Sequence, residues 1–127
     1  MNSFRTPLGR VRGLGTANAG TQHWWQERVT SVALVPLTLW FVIAVIGLIG
    51  QPWEAVALWL SSPLSAVLAV LFVVVSFYHA ALGLQVVIED YVHSEGAKVA
   101  LLLAVKFLCV LLGTAGVFSV LKIAFGG

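Results

Sequence analysis

Charged side chains are absent between Arg28 and Glu54 and absent again between Glu54 and Glu89, and from Val99 to Leu121 only Lys106 interrupts the apolar run. A helix needs roughly 20 apolar residues to cross a hydrocarbon core about 30 Å thick. The pattern therefore predicts three membrane-spanning helices, at about 29–50, 63–88 and 99–124, the second running past Ile88 if it protrudes from the membrane. "SSPLSA" opens the second, with Ser62 placed to cap it and Pro63 suited to the first helical position. The third ends in "FGG". Residues 1–22 read as a Gly/Ala/Thr/Asn-rich basic tail, extended or lying on neighbouring protein, and residues 23–127 as the transmembrane anchor domain. No internal repeat of useful length is visible.

Composition turns this pattern into a fold class. The chain is 60% hydrophobic and 9% charged, with a mean hydropathy of +1.00, so it lacks the polar residues needed to cover a soluble domain of its length. The expected class is an all-α membrane protein. A net charge of +2 is too small to imply nucleic acid as a partner. With Cys109 as the sole cysteine there is no internal disulfide, no iron–sulfur cradle and no covalent haem attachment motif. The first twenty residues carry arginines but no apolar core, unlike a signal peptide.

Lysines and arginines set the expected orientation. Arg5, Arg10, Arg12 and Arg28 precede or open the first span, Lys98 lies in the loop between the second and third, and the loop between the first and second has none. Lys122 lies near the C-terminus. By the positive-inside rule the N-terminus and the 89–98 loop face the cytoplasm, or the matrix of a mitochondrion, and the C-terminus faces outward. Trp24 and Trp25 then mark the inner interface, and Trp53 and Trp59 the outer one. Trp40 lies inside the first span and is expected to pack against a partner helix. With so little mass outside the bilayer, the chain reads as a subunit, not catalytic on its own.

The candidate chemistry sits in "FYHAALGLQVVIEDYVH", residues 77–93. His79 precedes Asp90 by eleven residues, about 16 Å along a helix. Eleven steps of roughly 100° return to nearly the same face, so the two share a stripe, with Gly83 one turn beyond His79 and Ala80 and Ala81 nearby. Small residues there let a flat group or another helix come close. Two readings of His79 stand side by side: a hydrogen bond to a neighbouring helix, or axial ligation of a haem iron. In the second, another subunit has to supply the other ligand, because His93 lies about 21 Å further along and His23 precedes the first span. Glu89, Asp90 and Tyr91 likewise are either a helix reaching water or a carboxylate and phenol placed to grip a quinone carbonyl and supply protons. Lys106 either snorkels to the inner headgroups or presents a cation to a haem or a lipid phosphate.

A mid-span His followed eleven and twelve residues later by Asp-Tyr resembles the smaller membrane-anchor subunit of succinate dehydrogenase, respiratory complex II. The Gly-rich tail, the stretch "HWWQERVTSVALVPLTLW", similar to the Arg-x-Thr opening of that family's first helix, and three spans in about 120 residues agree along nearly the whole chain. The resemblance implies that His79 is this subunit's ligand to haem b, the other ligand coming from the larger cytochrome b anchor subunit. It implies that Tyr91 hydrogen-bonds ubiquinone, with Asp90 its acidic neighbour, and that Arg28 lies near the haem propionates and quinone site. His23 lies near a family histidine that precedes that arginine. FAD and iron–sulfur clusters belong to the family's flavoprotein and iron–sulfur subunits, in keeping with the absence of their ligands here.

These expectations combine into an anchor in a bacterial or mitochondrial inner membrane. It would dock the soluble subunits on the inner face, co-ligate haem b and help form the ubiquinone-reducing site, in the tricarboxylic acid cycle and aerobic electron transport. Its arginine-rich tail is suited to contact those subunits or anionic lipid. The rival class is a non-redox structural or assembly subunit, or a small transporter component, and a fumarate reductase anchor is a third reading. A b-type haem spectrum from the purified complex separates the first class from the second. The topology is testable directly: cysteines introduced at Ser94 and Gly126, in a Cys109→Ala background, should react with an impermeant thiol reagent from opposite sides of the membrane. Labelling from one side would mean that a span has been miscounted.

Overall fold

The computed structural model describes the backbone of residues 16–126 and the side chains of residues 21–126. Arg5, Arg10, Arg12 and most of the expected tail lie outside the described residues. Four helices follow in order: α1 (Thr16–Leu48), α2 (Trp53–Ser61), α3 (Pro63–Tyr91) and α4 (Glu95–Ala124), with no strand among the described residues. Three are long and apolar enough to cross a membrane, at Thr21–Leu48, Pro63–Tyr91 and Glu95–Ala124. The all-α, three-span class is borne out. In hydrocarbon a backbone N–H or C=O has no water to turn to, so a helix, which satisfies its own groups, is what an apolar segment of this length adopts.

The helix ends carry local explanations. Gly50 follows α1 at φ +79°, a left-handed conformation that glycine adopts without a Cβ penalty. Pro63 starts α3 with Ser62 at the N-cap, as the sequence suggests, although the Ser62 side chain makes no capping bond. Ser94 does cap α4, its hydroxyl accepting from the Ala97 N–H at 3.5 Å. Two features differ from the apolar pattern. α1 begins at Thr16, well before the apolar run, because polar residues extend a helix once it has left the hydrocarbon. The link between the first two spans holds a further helix, α2, which places Trp59 against Trp40 with ring centroids 5.5 Å apart. The partner of Trp40 thus lies within the chain.

α3 is the central element, packed against α1 on one side and α4 on the other, with α2 touching both α3 and α4. Phe41 of α1 stacks on Phe72 of α3 at 4.7 Å. On the opposite side, a Cβ built on Gly113 of α4 would meet Phe77 at 3.5 Å, and one on Gly116 would meet Val73 Cγ1 at 2.9 Å. Glycines at this spacing let α4 approach α3 closely. The interior is otherwise thin. Among the described residues the buried apolar side chains are Leu60, Ala69, Leu82 and Ile88, none of them on α4. Most of the apolar surface is left for lipid or for other protein.

The glycine contacts predict a graded response. Gly113→Ala adds a methyl in ordinary contact and should leave thermal stability nearly unchanged. Gly116→Ala drives a methyl into a β-branched side chain with little rotamer freedom in a helix, and overpacking of this kind costs about 1–3 kcal/mol. Thermal unfolding of the detergent-solubilised complex should rank wild type and Gly113→Ala above Gly116→Ala; equal melting would show that Val73 yields freely.

Candidate functional site: a histidine tied across two helices

His79 lies in the seam between α3 and α1. Its Nδ1 is 2.9 Å from Thr30 Oγ1. Thr30 is the buried polar residue among the described side chains, 9% exposed, and its hydroxyl also lies 2.8 Å from the Gln26 carbonyl and 3.1 Å from that of Glu27. An ionisable ring at this depth is costly without a partner, and α1 provides one. The Nε2 of His79 takes part in no hydrogen bond within the described residues. Beside it on the stripe, a Cβ on Gly83 would meet nothing within 4 Å among the described residues other than the backbone of its own helix.

This arrangement suits one axial ligand of a haem. Imidazole coordinates iron through a ring nitrogen while the other nitrogen is held by a hydrogen bond, and His79 has one nitrogen bonded within the chain and one unengaged. Among the described residues, no three His, Cys, Asp or Glu side chains come together as a metal site. The other described histidines, His23 on α1 and His93 beyond the end of α3, lie on other parts of the chain. The helical stripe joining His79 to Asp90 is present, since both lie on the unbroken α3.

Arg28 and His23 are placed by the N-terminal part of α1. The Arg28 guanidinium lies 5.4 Å above the Trp24 ring, and Trp24 meets Trp25 edge to face at 5.4 Å, an aromatic cluster of the kind that marks a membrane interface. His23 precedes Thr30 by seven residues, two turns along the same face. Its Nε2 is buried and has no hydrogen-bond partner among the described residues, an unusual state for a polar atom. At the C-terminal end of α3, Asp90 and Tyr91 are both exposed, Tyr91 by 77%, and no hydrogen bond joins them. Glu89 instead accepts from Gln85 at 3.1 Å. His93 lies beyond the helix and is exposed.

Lys106 lies elsewhere. It lines an open groove of about 660 Å³ between α3 and α4, together with Phe77, Tyr78 and Cys109, whereas His79 is tied to α1. Sequence reasoning missed Thr30, although the residue was on view in the Arg-x-Thr stretch. Its signal is a hydroxyl in phase with His23 on a face that has to meet another helix.

Three long apolar helices with almost no interior of their own define a multi-pass membrane subunit. The chain belongs to the Succinate dehydrogenase/Fumarate reductase transmembrane subunit family, which it matches over residues 2–113. It is 31% identical to the succinate dehydrogenase hydrophobic membrane anchor subunit of Rickettsia bellii (strain RML369-C), over 92% of this chain and 94% of that one. It is 36% identical to the corresponding subunit of Paracoccus denitrificans, over 82% and 81% of the two chains. To the succinate dehydrogenase membrane anchor subunit of Porphyra purpurea it is 43% identical, over 86% of this chain and 90% of the relative. No solved structure matches the chain. The resemblance drawn from the residues is thereby borne out at the level of the family.

Proposed function

We propose that the chain is the membrane anchor subunit of a succinate dehydrogenase in a bacterial or mitochondrial inner membrane. It docks the flavoprotein and iron–sulfur subunits on the inner face and, with a larger cytochrome b anchor subunit, holds haem b and forms the ubiquinone-reduction site. Beyond family membership, the observation that carries this reading is His79, bonded through Nδ1 to Thr30 and unengaged at Nε2. The same bond also fits plain helix-to-helix adhesion, so the haem spectrum decides between them.

Each residue has a defined task in this function. His79 would hold the haem through Nε2, and the larger anchor would supply the other protein ligand. Haem b, when bound, supplies a one-electron redox centre within the membrane. Arg28, held over Trp24 at the inner end of α1, offsets propionate charge. Tyr91 donates its phenolic hydrogen to a carbonyl of ubiquinone, the substrate, and Asp90 polarises the same site. The exposure of Tyr91 leaves it accessible to quinone and to the soluble subunits that deliver electrons. Flavin and iron–sulfur clusters reside in those partners.

Two substitutions test the assignment. His79→Ala removes the one mid-depth imidazole of α3, so the purified complex should lose or weaken its low-spin b-type haem spectrum. Activity is expected to fall less than haem content, because water or a neighbouring group can occupy the position. An unchanged spectrum would sink the ligand assignment. Tyr91→Phe deletes one hydroxyl, worth on the order of 1 kcal/mol in net binding and more where water is excluded. If the bond strengthens as charge builds on the quinone, its loss slows turnover as well as weakening binding. The Tyr91→Phe complex should assemble and oxidise succinate with an artificial acceptor, yet reduce quinone much more slowly. Wild-type quinone reduction would identify this helix end as a mere exit into water.

A further inference from the structure

From the hydrogen-bond geometry at Thr30 we infer that this threonine is the positioning residue of the haem site. It accepts the Nδ1–H of His79, fixes the lone pair at Nε2, and tunes the imidazole as an iron ligand. The inference rests on the haem reading proposed above.

Proton counting carries the argument. A threonine hydroxyl has one hydrogen to give and two lone pairs with which to accept. Thr30 Oγ1 has three neighbours: the carbonyl oxygens of Gln26 at 2.8 Å and Glu27 at 3.1 Å, and His79 Nδ1 at 2.9 Å. The two carbonyls can only accept. If the hydroxyl gave its hydrogen to Nδ1, its remaining lone pairs would face two carbonyl oxygens at close range with no proton between them. Donation to the helix backbone removes that repulsion and leaves Oγ1 as an acceptor towards His79. Nδ1 then carries the hydrogen of the neutral ring, and the free lone pair lies on Nε2, the nitrogen without a hydrogen bond.

The acceptor is also rigid. A helical threonine that bonds the carbonyl one turn back is held in a single rotamer, and Thr30 is buried at 9% exposure. Its hydroxyl is polarised by the carbonyls it serves, which makes the oxygen a better acceptor. A hydrogen bond from the distal nitrogen raises the basicity of a ligating imidazole and fixes its ring orientation. A stronger donor favours oxidised over reduced iron, so the bond lowers the haem midpoint potential.

Ser31 provides an internal control. Its hydroxyl donates to the Glu27 carbonyl at 2.7 Å, the same backbone bond as Thr30 makes, but it has no bond to His79. The experiment uses the purified whole complex with Thr30→Val, Thr30→Ser and Ser31→Ala, reading haem loss to an excess of an apo-haem acceptor protein and the midpoint potential of the haem. Thr30→Val keeps the shape and removes the acceptor. It should lose haem about 10–100-fold faster and shift the potential upward. Thr30→Ser should restore both, and Ser31→Ala should change neither. If the valine complex does not assemble, Thr30→Ala removes the same acceptor without β-branching and should show the same upward shift. Wild-type haem retention and potential in either acceptor-less variant would overturn the positioning role, as would an equal effect in Ser31→Ala. A wild-type complex with no b-type haem would instead overturn the functional reading itself, so the two failures are distinguishable.

Discussion

A polar group in hydrocarbon has to find its partner within the protein, and that constraint orders the whole chain. The backbone meets it by forming helices. The small hydroxyls meet it locally: Thr30, Ser31, Ser61 and Ser119 each donate to a carbonyl one turn back on their own helix. An imidazole on α3 takes a different route, and His79 bonds to α1. The relation between the first and third helices is therefore set by one directional contact as well as by packing. Hydrophobic residues alone would not fix that register, because lipid tails are as apolar as leucine and give little drive for one helix to choose another.

The remaining contacts follow the same economy of means. α4 meets α3 through glycines at 113 and 116, where dispersion between closely spaced helices replaces the missing hydrophobic drive. α2 brings a tryptophan back onto Trp40, giving the end of the bundle opposite the 92–94 turn an aromatic clasp. Beyond these the described residues form only a thin interior, with four buried apolar side chains, Leu60, Ala69, Leu82 and Ile88. A soluble domain this poorly filled would not hold together. In a membrane it can, since lipid or a neighbouring subunit completes the packing, and the exposed faces of α1 and α4 are available for that purpose.

The spans were legible because charge is excluded from hydrocarbon, so its absence writes the span lengths into the sequence. Their ends were less so. Nothing prevents polar residues from continuing a helix into water, and α1 accordingly reaches back to Thr16 and α3 forward to Tyr91. α2 was hidden because "WEAVALWLS" lies between two apolar runs and adds no contrast of its own. His79 stood out as an ionisable residue in an apolar run, while Thr30 did not: threonine is common in membrane helices, and its meaning depends on what α1 faces. The packing of Trp40 was foreseen, but its partner could be known only once α2 was in place. His23 remained equivocal for a related reason, since an orphaned nitrogen is a property of the fold.

Under the proposed function, the two nitrogens of one ring divide two demands that conflict in a membrane. A ligand must be rigid, which calls for burial and a hydrogen bond, yet it must also reach a group shared with another subunit, which calls for exposure. His79 reconciles them because Nδ1 is secured inside the chain while Nε2 remains unengaged, and the imidazole is half-buried as a whole. Tyr91 faces a different demand. A residue that serves a diffusing quinone and a proton supply gains from exposure at the interface, and it lies at the last turn of the same helix, about 18 Å from His79 at 1.5 Å per residue. A single unbroken helix can thus hold one site rigidly at depth and another open at its end. The helix backbone fixes the distance between them, and the Thr30–His79 bond sets its rotation against α1.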